Sequence, residues 1–215
     1  MIKGILFDLD GVLVDSEGIY FKAVRDSFRQ YGVEISQDEY VKRWMIERTH
    51  TRGAIKDRGL NIDIQELRQI KEGFFQKYVE DIQMIPGAKN LLDRYNGKYP
   101  YGLVSSEVRK EVLRKTAKFD LMRFFKASVC AGEANKDKPF PEPYLRGCEL
   151  LGLDPKYVLV IEDNPTGIVS GNAAGCKTIA YPNGFTAKMD FSLADARVKS
   201  LDEIHDGLLK KLFPD

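Results

Sequence analysis

From residue 101 onward, short apolar runs rich in strand formers alternate with stretches of helical period, and one more run of the first kind, Lys3 to Phe7, stands far ahead of them. That alternation is a severe constraint. Strands joined through helices lie parallel, and a parallel sheet needs helices on both faces, so an α/β, Rossmann-like doubly wound parallel sheet is expected. The predicted strands are Lys3 to Phe7, Tyr101 to Val104, Ala127 to Cys130, Tyr157 to Ile161 and Lys177 to Ala180, with Arg197-Val198 as a last edge strand. The predicted helices follow Pro86-Gly87 and run from Glu107 to Ala117, Glu142 to Leu151, Pro165 to Ala174 and Leu201 to Leu212.

Between the first strand and the rest, no stretch has strand period. Ile19, Ala23, Val24 and Phe28 recur at three- and four-residue steps, giving a helix over roughly 17–31 that closes at Tyr31-Gly32. Ser36, with Glu39 in capping-box spacing, opens a second helix running through Trp44. A third spans Thr51 to Arg58, and a fourth Asp63 to Glu80, with Leu67, Ile70, Phe74 and Phe75 on its inner face. The expected organisation is a discontinuous core, residues 1–16 and 84–215, with an inserted all-helical domain at 17–83.

The net charge of +1, from 33 basic and 32 acidic residues, gives no reason to expect nucleic acid or a membrane surface as partner. No run approaches the ~20 apolar residues of a membrane span, and no N-terminal signal is read ahead of the first strand. Cys130, Cys148 and Cys176 are an odd number in apolar context, which argues against a disulfide framework and for a cytoplasmic protein. His50 and His205, the only histidines, show no ligand spacing, so zinc is not expected.

In open α/β sheets, ligands sit at the carboxyl ends of the strands. Asp8 and Asp10 close the first strand two positions apart, where side chains on a strand share a direction. Asp10-Gly11 reads equally well as an ordinary turn dipeptide. Asp8, between Phe7 and Leu9, does not, because an isolated charge there is expensive. Ser105 and Ser106 follow the second strand, where a hydroxyl either binds phosphate or caps the next helix. The proline-rich segment from Lys138 to Pro143 is rigid and holds its lysine in place. Glu162 and Asp163 end the strand Val158-Leu159-Val160-Ile161; capping accounts for Asn164, but not for Glu162. The four acids and Lys138 leave a strongly negative site, one that would repel phosphate unless a divalent cation were present.

Phe7-Asp8-Leu9-Asp10-Gly11-Val12-Leu13-Val14-Asp15-Ser16 resembles the first motif of the haloacid dehalogenase superfamily, in its β-phosphoglucomutase-like branch with a helical cap. Ser105 matches the family's second motif, Lys138-Pro139 with Pro141-Glu142 its third, and Glu162-Asp163 the acidic pair of its fourth. The resemblance implies a Mg²⁺-dependent phosphatase of small phosphorylated metabolites; separately, a monomer is expected. It makes Asp8 the nucleophile, Asp10 the general acid and base, and Lys138 the partner of Asp8 and of the phosphate. Mg²⁺ would be held by Asp8, the Asp10 backbone carbonyl, Asp163 and Glu162. Dehalogenases of the family lack the acid at the Asp10 position, which disfavours that chemistry. A sugar phosphomutase is the alternative, but mutases of this branch carry a histidine where counting from Asp8 places Tyr20. They also have a Gly-rich loop where this chain has Met45 to Arg52. Arg48, Arg52 and Tyr20 are the candidates for contacting substrate from the cap, although an arginine on a helix is as readily a solvated face.

Overall fold

A computed structural model describes residues 1–47 and 49–214. The chain folds into two compact units, Met1–Asp15 with Met84–Asp215 and Ser16–Gln83.

The first unit is built on a six-stranded, all-parallel sheet: β1 (Gly4–Phe7), β2 (Tyr101–Val104), β3 (Phe125–Val129), β4 (Val158–Glu162), β5 (Lys177–Ala180) and β6 (Ala196–Arg197). The spatial order β3-β2-β1-β4-β5-β6 puts the first strand in the middle, with Phe7 opposite Leu103 on one side and Ile161 on the other. Every residue of β1, β2 and β4 is buried, which is why these strands read as unbroken apolar runs rather than as alternating ones. Side chains along β1 divide between the two faces. Leu6 joins Val104, Val158 and Val160 in one cluster with Tyr144 and Cys148 of α7 (Glu142–Leu151). Phe7 meets Tyr101 and Phe125 edge-on at 5.1 and 6.0 Å. The helix comes this close because Gly147 faces the strand: a Cβ there would already touch Leu6 Cδ1 at 3.1 Å.

The remaining helices of this unit are α5 (Ala88–Tyr95), α6 (Arg109–Ala117), α8 (Pro165–Ala173) and α9 (Asp206–Leu212). Two of them depart from expectation. α6 begins at Arg109 rather than Glu107, because Val108 is still extended at ψ 148°. The closing stretch is not one helix but a 3₁₀ turn, Leu201–Glu203, followed by α9, with His205 capping the latter through the Gly207 N–H.

The second unit contains α1 (Glu17–Arg29), α2 (Gln37–Tyr40), α3 (His50–Asp57) and α4 (Ile64–Tyr78). Ser36 and Asp63 cap α2 and α4 by accepting from the Glu39 and Gln65 N–H groups. α2 runs on as a π-helical segment, Val41–Ile46, where a regular helix through Trp44 was expected. Ile19 and Ala23 of α1 pack on Phe75 and Val79, with Tyr20 stacked on Phe75 at 4.4 Å. Among the described residues no helix is long and apolar enough to cross a membrane.

Candidate active site

Because β2, β1 and β4 are neighbours, their carboxyl ends bring Ser105, Asp8 and the Glu162-Asp163 pair side by side, all four buried. Lys138 arrives from the loop before α7 and ties three chain segments together. Its ammonium donates to Asp8 Oδ1 at 2.6 Å, Glu162 Oε1 at 2.6 Å and the Val104 carbonyl at 2.9 Å. Three donors meet three acceptors, so the head group is fixed as well as neutralised. Glu162 is held from further sides: Tyr144 Oη donates to Oε1 at 2.7 Å, and the Asn164 N–H to Oε2 at 3.3 Å. Only a glycine fits opposite, since a Cβ at Gly167 would lie 1.7 Å from Glu162 Oε1.

The electrostatics follow from burial. Asp8 is pushed up to about 8, first by desolvation and then by the charges of Glu162 and Asp10, against the opposing pull of Lys138. Burial works against the charge on Lys138, but Asp8 and Glu162 outweigh it and its pKa is raised. Tyr144 is also held well above its usual range, by burial and then by Glu162, and so stays a donor.

Asp8, Glu162 and Asp163 each offer an oxygen, all within 4.8 Å of one another. A buried, all-oxygen carboxylate set suits a hard cation such as Mg²⁺ and gives soft metals nothing to prefer. Asp163 is oriented by Asn183, whose Nδ2 donates to Oδ2 at 2.7 Å. Both lie so near the turn after β1 that a Cβ at Gly11, which has φ +80°, would come within 2.1 Å of Asp163 Oδ2. The Asp10 carboxylate does not belong to this set. The expectation for Asp10 concerned its backbone carbonyl, and its side chain engages Lys115 Nζ at 2.5 Å instead.

Sequence reasoning missed both Lys115 and Asn183. Lys115 falls in register with the buried Val112 and Thr116 of α6, which was the one available signal. Asn183 lies in a Pro182-Asn183-Gly184 segment with the signature of any turn. Ser105 Oγ accepts from the Glu107 N–H at 3.1 Å, the capping-type bond weighed above, while Ser106 is exposed. Tyr20 and Arg52 belong to the second unit, the former in its aromatic cluster and the latter exposed on α3. Arg48 lies outside the described residues.

A doubly wound α/β sheet whose two central strands, β1 and β4, end in a lysine-clamped cluster of carboxylates defines a class of hydrolytic enzyme rather than a binding module. The chain belongs to the haloacid dehalogenase-like hydrolases, whose family model matches residues 5–181. It is 33% identical to hexitol phosphatase A of Escherichia coli over 83% of this chain and 82% of that one. It is 29% identical to a phosphorylated carbohydrates phosphatase of Thermotoga maritima, over 83% and 84%. Its fold superposes on the crystal structure of a putative β-phosphoglucomutase from Thermotoga maritima with a TM-score of 0.81, at 24% identity, covering 98% of this chain and 99% of that one.

Proposed function

We propose that this phosphatase-class hydrolase is a Mg²⁺-dependent phosphatase of small phosphorylated metabolites, working through an aspartyl-phosphate at Asp8. The observation that carries the reading is the buried Asp8 carboxylate, clamped by Lys138 beside the oxygens of Glu162 and Asp163. In the first step an Asp8 oxygen bonds to phosphorus as the bond to the leaving oxygen breaks, and Asp10 gives that oxygen its proton. In the second, water attacks the phosphorus, the Asp8–phosphorus bond breaks, and Asp10 takes the proton. Lys138 orients Asp8 and offsets charge on the phosphoryl oxygens, and Ser105 with the N–H groups that follow it receives those oxygens. Asp8, Glu162 and Asp163, with the Asp10 carbonyl, would hold Mg²⁺, which when bound would supply charge neutralisation for an otherwise repelled dianion. The names of the relatives, a hexitol phosphatase and a phosphorylated carbohydrates phosphatase, support a phosphorylated carbohydrate or polyol as substrate class. The reading includes a cytoplasmic monomer that takes neither nucleic acid nor membrane as partner.

The test is phosphate release over a panel of sugar and polyol phosphates, with Mg²⁺ and with EDTA, on wild type and Asp8→Asn. Release that stops in EDTA and falls by several orders of magnitude in Asp8→Asn is expected. Full turnover in EDTA, or a near-normal Asp8→Asn enzyme, would sink the mechanism. Phosphatase and mutase separate in burst kinetics. With Tyr20 in place of a histidine the phospho-enzyme should be short-lived in water, whereas transfer to glucose 1-phosphate in preference to water would establish a mutase.

A further inference from the structure

Each of the two aspartates that close β1 has its own buried lysine. Lys138 holds Asp8 and also serves Glu162 and the Val104 carbonyl. Lys115 reaches Asp10 from a different element, the last turn of α6, with Nζ 2.5 Å from Asp10 Oδ1 and 3.7 Å from Glu107 Oε1. We propose that Lys115 is the positioning residue of the proton-transferring carboxylate, an inference that rests on the acid–base role given to Asp10 above.

The lysine is hard to explain as a stabilising residue. Its side chain is wholly excluded from solvent, at 0% exposure, whereas Arg109 and Lys110 of the same helix are exposed. Val112 and Thr116 flank it on the buried stripe, where an apolar side chain would continue the packing with no ammonium to desolvate. What the ammonium supplies is direction. Asp10 stands on a turn whose backbone is already fixed, by Gly11 in the left-handed region and by the Gly11 N–H bond to the Val14 carbonyl at 2.8 Å. Its side chain, however, is 22% exposed. Solvent could therefore compete for the carboxylate and rotate it. The reaction needs the same carboxylate to face the same place twice. In the first step its proton passes to the leaving oxygen while the bond from phosphorus to that oxygen breaks and the Asp8–phosphorus bond forms. In the second a proton returns to it from water while the water oxygen bonds to phosphorus and the Asp8–phosphorus bond breaks. Lys115, bound to Oδ1, fixes which edge of the carboxylate is presented in both.

The experiment compares p-nitrophenyl phosphate with phenyl phosphate, whose more basic leaving group depends more on protonation, for wild type, Lys115→Met, Asp10→Asn and the double variant with Mg²⁺. A positioned acid contributes about 10²–10⁴-fold. Lys115→Met should therefore lose at least ~10-fold more kcat/KM on phenyl phosphate than on p-nitrophenyl phosphate, and should add no further selectivity in the Asp10→Asn background. Equal losses on the two esters, or none, in a folded Lys115→Met protein would overturn the proposal. Should that variant not fold, Lys115→Arg, which keeps a displaced cation, carries the same comparison with the same selective loss expected. If neither folds, Lys115 is a structural cation and the proposal fails. Failure of the underlying reading looks different: wild type releases phosphate from neither ester, or Asp10→Asn itself shows no leaving-group dependence.

Discussion

One methyl group separates a working Glu162 from a displaced one. A Cβ at Gly167 would sit 1.7 Å from Glu162 Oε1, the oxygen shared by Lys138 and Tyr144. Gly167→Ala is expected to break that buried ion pair. Removing a partner from such a pair costs about 3–5 kcal/mol, so urea unfolding should show a loss of that order and phosphatase activity should collapse. An unchanged midpoint would mean the site yields more easily than its packing implies. Asp8 makes a second prediction, this one in pH. Its folded-state pKa, about 8, lies above the ordinary 3.8, so the folded protein holds the proton more tightly. The stability Asp8 contributes is full below its ordinary value and is lost as pH rises through about 8. Lys138, raised from an ordinary 10.5, does not change over that window. A cation bound to ionised Asp8 opposes the loss, so the rise in Tm on adding Mg²⁺ should grow as pH increases across that interval. A Mg²⁺ shift that is flat or shrinks with pH would count against cation binding at Asp8.

Elements were legible to the extent that their signals were local. β4 stood out because a strand buried on both faces is a continuous apolar run, and the acids ending β1 and β4 drew notice because such runs do not ordinarily end in charge. The 3₁₀ turn and α9 did not separate, because Leu201, Leu208, Leu209 and Leu212 keep helical spacing across the junction. The break there is made by capping rather than by glycine or proline. Ser200 and Glu203 form a capping box around the 3₁₀ turn, Ile204 is buried in extended geometry, and His205 starts the next helix. Ser200→Ala should therefore cost about 1 kcal/mol in unfolding free energy and leave activity unchanged, which urea titration beside a phosphate-release assay would check. Lys115 was illegible for a different reason. α6 carries Arg109, Lys110, Arg114 and Lys115, and in sequence a buried lysine looks like its solvated neighbours until Asp10 is placed opposite.

For the whole molecule, the strand order decides where chemistry can happen. Neighbouring strands lie about 4.8 Å apart, so the ends of β2, β1 and β4 span roughly the width of one phosphoryl group and its ligands, and the edge strands β3 and β6 bring none of the clustered acids. The same order has a consequence for synthesis. The strand made first of the six, β1, takes the middle of the sheet, and Ile5 pairs with both Tyr101 and Leu159. A ribosome must therefore translate as far as Ile161 before the nucleophile's strand has both of its neighbours, whereas α1 and α4 pack within one short stretch of chain. Nascent chains arrested before Val158 should yield a protease-resistant fragment from the helical unit but none containing Asp8, and protection of the N-terminus should arise only once β4 has cleared the exit tunnel. Until then the edge of β1 that pairs with β4, Gly4 to Phe7, has no strand beside it.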